Sequence, residues 1–370
     1  MISRHFHIFV STLFYLLMKK SSHTPIFVIL ALLASCSGQI DPEQEHGDAI
    51  SFSLQRDFSA EVTKAYLYES GDLPFQNNIE GNFSVMAYNS RRGSRHFDNP
   101  EWVHHIYYPS EPTMSRWYFW NGTSVYSRYW PKSYELDFFA YMPYDAHLAQ
   151  DPSNANMALD LDHRTITCDL PSDKNGENST DGQRTAREFV YAWADNYTYE
   201  TDNGNVDLDF IHPLTAIYFY LGQAHGNTLI ESVGLRNLYS TGTLEVSEAN
   251  SEQENLTYSD WTPAGSRGSM TVDVGKTVGA SGENGINLNS PIGGPYLVMP
   301  QATGDIYVTV RYTWNGNSIS AEAVINGDNW KPGYKYTYIL NLGNSSENII
   351  ADVSVTPWNK NPYPNDIEIE

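Results

Sequence analysis

The sequence predicts an all-β protein, two tandem β-sandwich domains behind an export signal. Three observations carry that prediction. Apolar and polar residues alternate with period two in many short runs, and no run keeps a helical period of convincing length. Aromatic residues make up 14% of the chain, with 26 tyrosines the largest group, which suits strands whose rings are half buried. At 370 residues the chain is long enough for two domains of ordinary size.

The amino terminus reads as an address. Residues 1–35 hold Arg4, Lys19 and Lys20 and no acidic residue. The apolar run Pro25 to Leu33 is well below the ~20 residues that span a bilayer, and it ends in Leu33-Ala34-Ser35-Cys36. A basic start, a short apolar core and small residues before a cut form a secretory signal over 1–35. The cysteine after the cut resembles a bacterial lipobox, with Cys36 acylated through its sulfur. Met18-Lys19-Lys20 has the form of a start in its own right, so Met1 and Met18 both stand as translation starts. Asp41, Glu43, Glu45 and Asp48 then form an acidic tether. Three of the 22 basic residues and none of the 44 acidic ones precede Cys36, so the mature chain carries 19 against 44, a net charge of −25. That balance opposes binding to nucleic acid or anionic membrane, both of which need basic patches. Only Cys36 and Cys168 are present, and acylation of the first leaves no intrachain disulfide. Cys168 alternates within Thr165-Ile166-Thr167-Cys168 and is expected to be a buried strand cysteine.

The strand signals follow in order. Ala49 to Leu54 is a short alternating strand with Ile50, Phe52 and Leu54 on one face. Phe83 to Tyr88 alternates next, and Arg91-Arg92-Gly93-Ser94-Arg95 is a basic loop. Trp117 to Tyr126 reads as a hairpin turning at Asn121-Gly122, whose aromatic pairs are read as core; a carbohydrate platform built on Trp117 and Trp120 is the other reading. Met157 to Leu170 alternates again. Val206 to Gly222 contains two alternating runs divided by Pro213, which removes a ladder donor. Coming after the turn-rich stretch 196–205, it reads as the first strand pair of a second domain, 205–370. Thr228 to Leu244 reads as strand, loop and strand with Gly242 at a turn, and 245–290 as long loops or irregular strands. Ile306 to Tyr312, a hairpin at Asn315-Gly316, Ser318 to Ile325, Tyr334 to Leu342 and Ile349 to Thr356 complete the series.

Chemical signatures are thin. There is no G-x-S-x-G, H-E-x-x-H, P-loop or Gly-rich dinucleotide turn. His104 and His105 are adjacent, so on a strand they face opposite ways. His212 stands without a second ligand at metal spacing and is expected in the core. Asp202-Asn203-Gly204-Asn205 with Asp207 and Asp209 lacks the bidentate glutamate of a calcium loop. The expectation is a non-enzyme without cofactor or metal.

Six stretches together resemble the Bacteroidetes fimbrillin family, the Mfa-like type V pilus subunits. They are Leu136-x-Phe138-x-Ala140-Tyr141-x-Pro143, Arg187 to Ala192, Phe210-x-His212-x-Leu214, Tyr296 to Gln301, Gly333 to Leu340, and Val353 to Trp358. The resemblance implies transthyretin-like sandwiches over 65–204 and 205–370, and a propeptide over 36–64 containing a removable first strand. A trypsin-like protease would cut there. The family commonly carries Thr-Arg-Ala where this chain has Thr63-Lys64-Ala65, so Arg56 and Lys64 both stand as processing sites. Loss of the strand would unpair an edge and open the pockets of Ile50, Phe52 and Leu54, to be refilled by a strand from another fimbrillin subunit. The implied partners are those subunits, the lipoprotein-processing machinery and a surface ligand. The implied location is the outer membrane surface or the fimbria, as stalk, anchor or tip. A monomeric glycan-binding surface lipoprotein is the alternative.

Overall fold

The alternating runs become strands in the structure, a computed structural model that describes residues 49–54, 82–106, 116–142, 157–170, 189–282, 284–325, 327, 329–343 and 349–357. The first ten strands are β1 (Ser51–Leu54), β2 (Asn82–Asn89), β3 (Glu101–Ile106), β4 (Arg116–Trp120), β5 (Val125–Tyr126), β6 (Leu136–Met142), β7 (Met157–Asp160), β8 (Thr165–Asp169), β9 (Val190–Tyr197) and β10 (Asn205–Leu208). One helical turn, α1 (Tyr199–Asp202), separates the last two. The remainder are β11 (Thr215–Ala224), β12 (Leu229–Leu238), β13 (Thr241–Glu245), β14 (Trp261–Ala264), β15 (Gly268–Val278), β16 (Gly285–Ile286), β17 (Ser290–Val298), β18 (Tyr307–Trp314), β19 (Asn317–Val324), β20 (Tyr334–Leu342) and β21 (Ile350–Pro357). The expected all-β class is what forms. No helix among the described residues is long and apolar enough to cross a membrane.

An antiparallel sheet in the order β5-β4-β3-β2-β6-β9 organises the amino-terminal half. Every residue of β6 is buried because both faces of this sheet are covered. Leu136, Phe138, Ala140 and Met142 enter one core, and Phe139 and Tyr141 enter another. Asp137, buried between them, accepts from Ser90 Oγ at 2.5 Å and from the Asn196 N–H at 2.9 Å, so its charge is not left bare. The Asn121-Gly122 hairpin forms as expected, with Trp120 opposite Val125. Asn121 Oδ1 accepts the amides of Thr123 at 3.0 Å and Ser124 at 2.9 Å, the local bonding that makes asparagine a turn residue.

Two small sheets cover the two faces. On one lies the parallel pair β1 and β10, in register from Ser51 opposite Asn205 to Leu54 opposite Leu208. On the other lies a four-stranded sheet, β14-β13-β8-β7, packing Met157, Ile166, Cys168, Leu244 and Trp261 against Tyr88, Phe139 and Tyr191.

The carboxy-terminal sandwich stacks β17-β11-β20-β21 on β16-β15-β12-β18-β19. Between them lie Ile217, Phe219 and Leu221 of β11 and Tyr336, Tyr338 and Leu340 of β20, facing Val233, Leu235, Val308 and Val310. Ala216 and Tyr218 of β11 point the other way, into the core shared with the four-stranded sheet. The two-residue turn at Asn315 and Gly316 has φ of 50° and 76°, the paired left-handed geometry that Asn-Gly supplies.

The structure departs from the sequence reading in four places. The runs on either side of Pro213 are not a strand pair: β10 pairs with β1, and β11 with β17 and β20. Residues 209–214 are instead the crossing between cores, with Phe210 in the first and Ile211 and Leu214 in the second. Backbone partners hold this crossing. Ile211 exchanges bonds with Tyr191, and the His212 N–H and carbonyl both bond Gln253. The Pro213 carbonyl accepts Trp261 Nε1 at 2.9 Å. Second, Gly242 lies within β13, opposite Cys168 and Pro263, not at a turn. A Cβ there would sit 2.4 Å from Met299 Sδ and 2.9 Å from the Thr262 carbonyl, so the glycine serves close approach. Third, 268–278 is an eleven-residue strand whose Met270, Val272 and Val278 face the core; its polar partners face outward. Strands also cross the expected boundary at 204/205, since β10 pairs with β1 and β13 pairs with β8. The described residues accordingly belong to one compact unit.

Candidate assembly site

The site is β1 and the groove it fills. With the residue before it the strand reads Ile50-Ser51-Phe52-Ser53-Leu54, which alternates so that apolar side chains go in and serines go out. Ile50 and Phe52 are 5% and 6% exposed, and Leu54 is half buried. The Phe52 ring stands edge-on to Phe83, Phe119 and Phe138 with centroids 5.6, 5.5 and 5.9 Å away. Burying such a ring is worth about 1.5–3 kcal/mol, and each aromatic pair about 0.5–1.5 kcal/mol more. On the solvent side Ser51 Oγ donates to the Gly204 carbonyl at 2.9 Å, and Asn205 Nδ2 donates to Ser53 Oγ at 2.8 Å. Ser53 Oγ in turn donates to the Asp207 carboxylate.

The amino end of β1 is gripped from both sides. The Ser51 amide donates to the Gly204 carbonyl at 2.8 Å, and the Ile50 amide to the Arg128 carbonyl at 2.8 Å. Ala49 forms an antiparallel bridge with Tyr129. Arg128 is fixed by its side chain: the guanidinium pairs with the Glu101 carboxylate and lies 5.4 and 5.6 Å over the Phe97 and Tyr126 rings. The Tyr126 hydroxyl donates to the same carboxylate. Burial, with that bond to Glu101, pushes the Tyr126 phenol above its usual pKa. Sequence reasoning missed Glu101, Tyr126 and Arg128. Glu101 and Arg128 are 27 positions apart, and no local pattern marks the pair.

The structure thus brings Ile50, Phe52 and Leu54 onto one core, while Cys36, Arg56 and Lys64 lie outside the described residues. Trp117 and Trp120 occupy opposite faces of their strand. Trp117 packs on Phe83 at 5.2 Å, whereas Trp120 stands beside His104 at 5.4 Å and Trp102 at 6.4 Å. These two tryptophans therefore share no platform. Cys168 is buried as expected, its thiol pushed up to about 12 by desolvation. His212 is buried too. Arg91 and Arg92 are exposed, while Arg95 pairs with Asp162 at 2.8 Å. Among the described residues no group of three or more His, Cys, Asp or Glu is placed to hold a metal ion.

At the other end of the chain, β21 is the edge of its sheet. Val353 and Val355 lie opposite Tyr338 and Tyr336, on the face turned to the core, yet are 37% and 43% exposed.

These features define a β-sandwich protein whose distinctive feature is an inserted strand. The fimbrillin-like family model matches residues 75–358, and the chain belongs to that family. Solved structures with similar folds include a protein from Bacteroides uniformis provisionally assigned to cell adhesion, at 15% identity over 84% of this chain and 97% of that one, with a TM-score of 0.49. A fimbrial protein from Bacteroides vulgatus is 14% identical over 84% and 99%, with a TM-score of 0.48. The tip fimbrial protein Mfa3 from Porphyromonas gingivalis is 13% identical over 77% and 96%, with a TM-score of 0.39. No protein of curated function matches the sequence. Membership of this family is what the six sequence stretches implied.

Proposed function

We propose that this chain is a surface-exported lipoprotein subunit of a fimbria that assembles by strand exchange. The signal over 1–35 directs export and Cys36 carries the lipid. A trypsin-like cut at Arg56 or Lys64 then severs the 36–64 propeptide from the body. One observation carries the reading: β1 supplies half of a two-stranded layer, and the core beneath it depends on Ile50 and Phe52. Its departure leaves an unpaired β10 edge above an apolar groove, which templates another strand. Five residues, 50–54, with two deeply buried apolar groups are few enough to be replaced by a strand of similar alternation. The role is structural, with adhesion as its outcome at the cell surface.

Limited trypsin treatment of the purified full chain tests this. Cut between β1 and β2, the protein is expected to form ladders of higher mass that survive mild detergent, and uncut protein is not. Cleaved protein that stays monomeric at high concentration would contradict the proposal.

A further inference from the structure

We infer that the Glu101–Arg128–Tyr126 network is a clamp that sets how long β1 stays seated. The inference rests on the strand-exchange reading for its purpose, but its observable is the opening of β1 itself.

The geometry assigns different roles to the two ends of the strand. At its carboxyl end, Leu54 is half buried, and apart from the ladder to β10 the bonds of Ser53 run through its side chain to Asp207 and Asn205 on the solvent side. At its amino end, Ala49 and Ile50 bond the 128–129 backbone on one side while Ser51 bonds Gly204 on the other. Backbone groups at 128–129 lie outside the named strands, so their aim depends on what fixes Arg128. That is its side chain, held by a carboxylate from the start of β3 and stacked over two rings. Glu101 is almost wholly buried while Arg128 keeps 38% of its side chain exposed, so the pair is screened less than one lying wholly on the surface. Tyr126 holds the second bond to the same carboxylate, so Glu101 anchors both neighbours of the strand's point of attachment.

A cut at Arg56 or Lys64 lies beyond Leu54, so the loosely held end is the one it frees. Peeling then runs from Leu54 towards Ile50 and stops at the clamp. The Phe52 pocket empties midway, and the Arg128 carbonyl is the last partner released. Processing and exchange become separable steps, with the severed strand retained until a competing strand arrives.

Hydrogen–deuterium exchange on the intact full chain tests the clamp. Glu101→Gln keeps size and removes charge; Arg128→Lys keeps charge and removes the flat guanidinium. In both, amides of residues 50–54 should exchange roughly tenfold faster, the effect of losing one charge-assisted hydrogen bond. Strands β11 to β20 should keep wild-type rates. Tyr126→Phe, the mildest change, should give a smaller acceleration of the same amides. Arg236→Met, which breaks the exposed pair with Glu322, should change nothing in β1. Wild-type exchange of 50–54 in all three network variants would overturn the inference. So would equal acceleration across the whole six-stranded sheet, which would make the network a general prop. Failure of cleaved wild-type protein to take up a strand would instead count against the exchange reading and leave the clamp measurement standing.

Discussion

The first and last described strands, β1 and β21, are held by opposite means. β1 has four residues and one partner strand, yet with Ile50 just before it, it drives Phe52 into a core of phenylalanines. β21 has eight residues and a ladder running from Ile350 to Pro357 against β20, yet its core-facing valines are more than a third exposed. Ladder hydrogen bonds largely exchange with water and contribute about 0.5–1.5 kcal/mol each. Deep apolar burial is less replaceable. The shorter strand is therefore the better seated, and its loss opens a hole; loss of β21 merely trims an edge. A removable strand must be one whose pocket demands a replacement, and β1 meets that condition.

Substitutions sharpen the contrast. Phe52→Ala should destabilise the amino-terminal half by about 3–5 kcal/mol, the range for deleting a buried aromatic ring, read by urea denaturation with tryptophan fluorescence. Leu54→Ala, at the half-buried end, should cost about 1–2 kcal/mol in the same titration. Val353→Ala and Val355→Ala should each stay below about 1 kcal/mol, because much of each side chain is already in water. A loss from Val355→Ala as large as that from Phe52→Ala would break the comparison. Smallest of all is an expected absence of reaction. With its thiol buried and pushed up to about 12, Cys168 stays protonated at pH 8 and should resist alkylation in native protein, then label fully once unfolded.

Local structure was legible and partner choice was not. Alternation placed β2, β11 and the β18–β19 hairpin, because a half-buried strand shows its period and Asn-Gly fixes the turn. β15 was also written as alternation, Met270-Thr271-Val272, but glycine and serine around it made the stretch read as loop. What no local pattern carries is pairing across distance. Ser51 and Asn205 are 154 positions apart, and nothing near either one names the other. The same holds for β13 with β8, and for Gly242, whose small size is required by Met299 some 57 positions later. Of the site, the apolar face of β1 was legible in Ile50, Phe52 and Leu54. The Glu101–Arg128 clamp was not, since a charged pair in so acidic a chain is indistinguishable from solvated surface until the fold buries it.

The measurement that bears most directly on the central claim is the mature amino terminus and intact mass of the protein in fibres taken from its native cell surface. Strand exchange predicts a chain beginning after β1, at Asp57 or Ala65, with no lipid mass. A chain in those fibres still beginning at acylated Cys36, with Ile50 and Phe52 retained, would contradict it.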